Sequence, residues 1–588
     1  MNEPFVNLLK GSIYALSVVL VIILMILLFK KRPWEIQEED AAGRLSDAVL
    51  EVGVLESHRT NSLNPYLSDT YLSNYITECI FDGLWNYEYD PRVHRITPTS
   101  ALAADLHPIR IVTPERDENL FQIRIRPGLH WHDGRPVTAR DVEFSLDYLI
   151  HNNVSRYFQL KKLLKRVEIQ DEETLLLTFR KILRRDRLSD VPLSLVTELL
   201  TVKILPAPPS ELTEVPRWMA ELSRRPIGTG PFRLERNETD IVLVRNPDAI
   251  EGPDPSIPPS GRPIERIVFR FFPVLEDLVE TFERSATGGS EINFLLDVSP
   301  IAFERLSRNF SFARYHTPYF YAIAFNGRRP PFQDREIRKA LIDLMPRREI
   351  AHAVWNSAEI DDFLHEGPFN RYDLTTELEL DPAETTPFFS EGMTIPAAAA
   401  LMKRKGVEEL SYILLSEVDE SDDLSNPISN EYKARMNALP LPGITLSVEN
   451  TALSANFVQK VFYDTDFDAV LLKVERRELE DYLTKDCTIP GRSDPICNIS
   501  GFSRIPGGWE DLFLSYRETA SLNEKRELAE EIHRQITRQA LWSFLFAVPK
   551  RAYFVKDLKI PGGIHPNYFF STVEGWYFDA SPPEIPAR

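Results

Sequence analysis

The chain is poor in the residue patterns that usually announce chemistry. It holds three cysteines and 11 histidines, and none falls in a paired CxxC or an HExxH pattern, so zinc chemistry has no spacing to stand on. There is no GxSxG elbow, no Walker-type GxxxxGK[ST] and no GxGxxG. Their absence leaves nucleophile-elbow and nucleotide-binding enzymes without support. Positive charge is also short: 68 Lys+Arg against 88 Asp+Glu leave a net charge of −20, the wrong sign for a nucleic-acid partner. Carboxylate pairs such as Asp361-Asp362 and Asp422-Asp423 lie in polar text with nothing to raise a pKa, and read as solvated. No internal repeat is visible.

Long apolar runs are nearly absent too, with one exception. Residues Ile13 to Phe29 are almost uninterrupted, and Gly11-Ser12 extends the run to about twenty residues, enough to span a bilayer core. Lys30-Lys31-Arg32-Pro33-Trp34 follows instead of a small-x-small cleavage pattern, which favours an uncleaved anchor over 1–32 and a linker over 33–46. Taken alone, that cationic cluster would keep the large domain cytoplasmic, although long domains can translocate despite flanking charge. The remaining roughly 550 residues exceed one ordinary core and predict two or three domains.

Along the chain, strands and helices alternate, as α/β units do. Strands are predicted at Ala48–Leu55 and Arg266–Phe272, and loops at Pro206–Pro209 and Gly252–Pro263. Tyr372 to Thr394 reads as a surface insertion or a long loop, and a short helix starts at Pro396 and stops at Gly406. A late helix runs from a Ser521/Glu524 capping box through Leu528, Ile532, Ile536 and Ala540. Cys79 reads as a buried core thiol. Cys487 and Cys497 flank a turn-rich loop (TIPGRSDPI); an oxidising compartment would let them pair, and a reducing one would leave them free.

The most informative segment is Leu120 to Ser145, LFQIRIRPGLHWHDGRPVTARDVEFS. Phe121, Ile123 and Ile125 alternate with Gln122, Arg124 and Arg126 as in a half-buried strand. Pro127-Gly128 and Asp133-Gly134 make turns, and Thr138 with Asp141 opens a helix carrying Val142, Leu146 and Leu149. His130 and His132 with Asp133 share one neighbourhood but supply a single carboxylate, so a turn is the better reading than a metal site.

This segment resembles the family 5 extracellular solute-binding proteins, which deliver peptides or nickel to ABC transporters. The resemblance recurs in order at Leu63-Asn64-Pro65, Phe81-Asp82-Gly83-Leu84, Pro226–Phe232 (PIGTGPF) and Arg245-Asn246-Pro247-Asp248. It continues from Phe325-Asn326 through Pro330-Pro331-Phe332, Asp334, Ile337-Arg338 and Ala340-Leu341. Physically, Gly228 and Gly230 suit a turn with positive φ, and Asp334 suits an N-cap ahead of core-facing Ile337, Ala340, Leu341 and Leu344.

The resemblance implies an α/β, two-lobed periplasmic-binding-protein-like fold with an inserted third subdomain, preceded here by one N-terminal transmembrane helix. The first lobe would cover 47–318, with the insertion at about 75–190. The second lobe would cover 319–548, and 549–588 would return to the first. It implies a monomeric, non-enzymatic protein with no cofactor and no metal, which closes about a hinge on a peptide or other small solute and hands it to an ABC permease. The anchor would hold the large domain outside the membrane, periplasmic or at the cell surface, and would replace the family's usual lipidated cysteine. A transport-inactive sensor or scaffold on the same fold is an alternative reading; a membrane-tethered hydrolase is another, without a nucleophile to support it.

For ligand contacts, the loop Asn64 to Tyr71 is implied to face the solute, with Ser68, Asp69, Thr70 and Tyr71 offering hydroxyls and one carboxylate. A capped helix start at Ser68 or Asp69 is the competing reading. Peptide-binding members carry a Trp and then an Asp for the ligand's ammonium near FDAVLLKVERRELEDYL; aligned without gaps these become Val474 and Arg477. Arg477 would repel an ammonium. Asp481, or Glu475 and Glu478, is a substitute acid if the register slips, and Arg476 or Arg477 suit a carboxylate. A solvated helix face explains the same residues.

Overall fold

A computed structural model describes residues 48–579, apart from internal stretches of which 380–391, 476–498 and 502–511 are the longest. The apolar run Ile13–Phe29, its cationic flank and the linker lie outside the described residues. Among the described residues, no helix is long and apolar enough to cross a membrane.

One ten-stranded sheet runs through the molecule. In chain order its strands are β1 (Val49–Leu55), β2 (Phe232–Asn237), β3 (Ile241–Arg245), β4 (Arg266–Phe272) and β5 (Phe294–Val298). They continue with β6 (Ser311–Phe325), β7 (Glu409–Glu417), β8 (Thr445–Leu453), β9 (Ala469–Glu475) and β10 (Trp542–Phe554). Their spatial order is β2-β3-β4-β1-β5-β10-β6-β9-β7-β8. Pairing is parallel at β1/β4, β1/β5, β7/β8 and β7/β9, and antiparallel elsewhere. A separate four-stranded antiparallel sheet is built from Ile109–Ile111, Asn119–Arg124, Leu164–Ile169 and Thr174–Phe179.

Two large apolar cores flank the middle of the long sheet. One gathers side chains from Ala48 to Leu296 and again from Ala552 to Phe578. The other is built entirely between Phe320 and Ala547. Each fully buried side chain such as Trp85, Phe269, Tyr432 or Trp542 contributes on the order of 2–3 kcal/mol by leaving water. The strand Asn119–Arg124 behaves as its alternation requires, with Phe121, Ile123 and Ile125 buried and Arg124 exposed.

The Gly and Pro motifs meet one another in the first core. Helix α1 (Tyr71–Ile80) ends against the PIGTGPF turn, where the Gly230 N–H donates to the Ile80 carbonyl at 2.9 Å. Neither Gly228 nor Gly230 has the positive φ expected from sequence. Glycine is required for another reason: a Cβ at Gly228 would lie 1.8 Å from the Ile80 oxygen, and one at Gly230 2.7 Å from the Cys79 oxygen. Positive φ occurs instead at Gly128 and Gly134, in the two turns flanking Trp131-His132. Asp82, buried in the FDGL turn, accepts from the Thr229 hydroxyl and the Asn86 amide, each at 2.8 Å. Cys79 is a buried free thiol, and burial pushes its pKa well up.

His132 is the bridge between the WHDG and GTG turns. The Gly228 N–H donates to its Nδ1 at 3.3 Å, which leaves the ring proton on Nε2 for the Gly230 carbonyl at 3.0 Å. Burial, the largest cause, lowers its pKa from the ordinary 6.5. Above that value the imidazole is neutral in the folded and unfolded chain alike. As pH falls through it, the unfolded chain takes up the proton first, so stability declines, and the loss is complete only below the folded-state pKa. The wild type is therefore expected to lose more stability than His132→Gln between about pH 7.5 and about pH 5, read as the difference between their urea midpoints. Equal losses would remove His132 from the acid response.

Helix α2 (Ala139–His151) starts as expected: the Asp141 carboxylate accepts from the Thr138 N–H at 2.8 Å and from the Ala207 N–H at 2.8 Å. Helix α3 (Arg335–Asp343) is capped by Asp334, whose carboxylate accepts from the Glu336 N–H at 2.8 Å, and Ile337, Ala340, Leu341 and Leu344 are buried. Helix α4 (Leu522–Gln539) is one residue shorter than its sequence pattern, because Ala540 turns to φ +51°. The helix Ile395–Arg404 stops ahead of Gly406, which takes φ +75°.

Candidate functional site

The two cores are joined in the sheet by β6 and β10, and the pairing between these strands is interrupted where it passes from one core to the other. Ser311–His316 pairs with Pro549–Phe554, and Phe320–Ala324 pairs with Trp542–Ala547. Between them, residues 317–319 face residue 548 alone, and Pro318 and Pro549 have no N–H to give the ladder. The β6/β10 ladder is thus broken at the crossover itself, with a second register shift at Tyr321/Ala322, while Tyr319 still pairs with Glu475 of β9.

Three side chains from three elements meet beside this interruption. Tyr71 opens α1, on the first core, and is 42% exposed. Its ring meets Tyr319 of β6 edge to face, with centroids 5.4 Å apart. Lys473 of β9, on the second core, holds its ammonium 5.6 Å from the centre of the same Tyr319 ring. Lys473 lies directly across from Tyr321 and is exposed, whereas its strand neighbours Leu472 and Val474 are buried.

Of the residues expected to touch ligand, Thr70 and Tyr71 are described, while Ser68, Asp69, Arg476, Arg477 and Asp481 lie outside the described residues, as do Cys487 and Cys497. Thr70 is engaged locally. Its hydroxyl accepts from the Ser73 N–H at 3.3 Å, so it, and neither Ser68 nor Asp69, is the N-cap of α1. Much of the Asn64–Tyr71 loop is scaffold: Asn64 is buried and its amide donates to the Met219 carbonyl at 3.1 Å. Tyr71 alone of the described members reaches the crossover.

In β9, Val474, matched to the family's Trp by the ungapped reading, packs wholly inside the second core and pairs with Phe320. The strand's exposed position is Lys473, one residue earlier. Sequence reasoning passed over it, yet the signal was present: a single cation in the apolar text Ala469–Val474. The sequence marks Tyr319 only as the first residue of the expected second lobe. His130 is exposed and both ring nitrogens of His132 are engaged, and the described residues contain no cluster of three or more His, Cys, Asp or Glu suited to a metal.

Comparison with known proteins agrees with this architecture. The chain is similar to the ABC transporter substrate-binding protein CtaP of Listeria monocytogenes, with TM-score 0.66 and 18% identity over 91% of this chain and 99% of that one. It is also similar to the oligopeptide-binding protein AppA of Bacillus subtilis, solved with a nonapeptide, with TM-score 0.59 and 17% identity over 90% of this chain and 98% of that one. These likenesses establish an α/β, periplasmic-binding-protein-like fold. In sequence, a Brucella ovis protein designated an ABC transporter peptide-binding protein is 25% identical over 284 residues, 46% of each chain. The glutathione-binding protein GsiB of Pectobacterium atrosepticum is 27% identical over 202 residues, 34% of each chain. The chain thus matches about half or less of the length of these curated relatives. The model of the bacterial extracellular solute-binding proteins, family 5 Middle, matches residues 97–474, more than half of the chain, which therefore belongs to that family.

Proposed function

We propose that the chain is the substrate-binding component of an ABC importer, non-enzymatic, which captures peptide-like solutes between two lobes. The lobes are the two cores, and the interrupted β6/β10 pairing is the hinge. That interruption is the observation that carries the reading. A ladder with unpaired positions bends at low cost, and it lies where the chain crosses between two otherwise separate cores. Tyr71 and Tyr319 line the cleft and offer flat, amphipathic surfaces to a ligand of varied side chains. Extended backbone in the ligand would pair in the manner of an added strand. The N-terminal apolar run holds the protein to the outer face of the membrane, beside the permease. The inserted subdomain of the first lobe centres on the four-stranded sheet.

The test is closure. Dyes at exposed Arg140 and exposed Arg404, one beside each core, report the lobe separation of the full chain in detergent. A mixture of tri- to pentapeptides is expected to raise energy transfer between them. Peptide binding with unchanged transfer would refute the hinge, and no peptide binding would refute the peptide class.

A further inference from the structure

We infer that Asn437, with Lys433 beside it, is an edge guard that keeps the chain monomeric by denying β8 to the β8 of a second copy. The inference is independent of what the cleft binds. Among the described residues β8 is the last strand of the ten-stranded sheet, beyond β7. It runs nine residues in unbroken register with β7, and its text, TLSVENTAL, holds no proline and no lysine. Such an edge is a template for another chain. The opposite edge, β2, is spoiled by a bulge between Leu234 and Arg236 and by exposed Arg233, Glu235 and Arg236. β8 has no bulge and a single charge, Glu449.

Its protection comes from the helix Ser425–Asn437. The Asn437 carboxamide donates to the Val448 carbonyl at 2.9 Å and accepts from the Val448 N–H at 2.7 Å. Both main-chain groups of Val448 therefore point away from β7, and one side chain takes the two bonds that a further strand would make. Lys433, one turn earlier, holds its ammonium 2.5 Å from the Glu449 carboxylate. Val448 is buried and Glu449 exposed, on opposite faces of the sheet. The helix lies on the Val448 face: its Tyr432 meets Tyr412, the β7 neighbour of Val448, hydroxyl to hydroxyl at 2.6 Å. Lys433 thus passes around the edge to reach Glu449.

A second copy is the occupant that the strand's own sequence fits. Paired antiparallel about a two-fold axis at Val448, two β8 strands would exchange the same two bonds that Asn437 now takes. Glu449 would then face Ser447, and Thr451 would face Thr445, so no like charges meet.

The experiment compares the full chain in detergent as wild type, Lys433→Ala/Asn437→Ala and Lys433→Ala/Asn437→Ala/Ser447→Glu. Light scattering over a range of concentrations gives the mass, and urea midpoints of dilute samples check that all three are folded. Wild type is expected to keep the monomer mass throughout. The double variant is expected to move to twice that mass as concentration rises. The triple variant is expected to return to monomer, because the added carboxylate would face Glu449 across the axis. In the dilute double variant the Val448 amide is expected to exchange its hydrogen roughly fivefold to tenfold faster than in wild type, the scale of one neutral hydrogen bond. A wild type that is already dimeric, or a double variant that stays monomeric at every concentration, would overturn the inference. Association that Ser447→Glu leaves unchanged would overturn it as well, since pairing at β8 would not be its cause. Protection of the Val448 amide by added peptides, in place of self-association, would replace the second copy by a peptide strand and overturn it too.

Discussion

Gly228→Ala is expected to destabilise the first core by about 3 kcal/mol or more, at the upper end of what overpacking costs. The added methyl would sit 1.8 Å from the Ile80 carbonyl oxygen, a backbone atom that cannot swing aside. Relief requires moving the end of α1 from the PIGTGPF turn, and that motion strains the Gly230 N–H bond to Ile80 and both hydrogen bonds of His132. Urea unfolding should show the loss as a lowered midpoint. Gly134→Ala is the natural control, because Gly134 has φ +84° and open space around it. Its cost is the left-handed backbone alone, about 1 kcal/mol. Similar costs at the two positions would contradict the steric account of Gly228.

Arg338→Met is expected to cost about 3 kcal/mol or more in the second core. The Arg338 side chain is buried and donates to the carbonyls of Phe332, Gln333, Gln539 and Ala540, tying α3 to the end of α4. Burial lowers its pKa to about 10, still far enough above neutrality for the guanidinium to stay charged. Folded and unfolded chains both carry the proton below that value, so this group adds no pH dependence near pH 7. Methionine fills much of the volume but leaves the carbonyls without their donor. Arg338→Lys keeps charge without the planar fork and is expected to fall between the two. A methionine variant as stable as wild type would show that water satisfies those carbonyls equally well.

Local grammar was well recorded in the residues. The strand before Pro127, the Asp334 cap, the Thr138/Asp141 start and the stop at Gly406 were all readable, because each depends on neighbours within one or two turns of chain. The reason for Gly228 was not readable. A glycine announces only that a side chain is unwelcome, and the atom that forbids it, the Ile80 oxygen, comes from a distant part of the sequence. The crossover follows the same division. Tyr71, which meets Tyr319 there, was named through family resemblance, whereas Lys473 on the other side of that ring was passed over because the ungapped reading looked for an acid beyond Val474. Which residue of a strand faces an opening depends on the layers above it, and those come from elsewhere in the chain.

The order in which the sheet is completed has a consequence for biosynthesis. β10 lies between β5 and β6, and the side chains from Leu541 to Ala547 belong to one core while those from Ala552 to Phe578 belong to the other. A ribosome that has delivered everything through α4 has finished neither half. Both wait for this one segment, so neither half can close until the ribosome has delivered β10, and a chaperone has to guard the open chain until then.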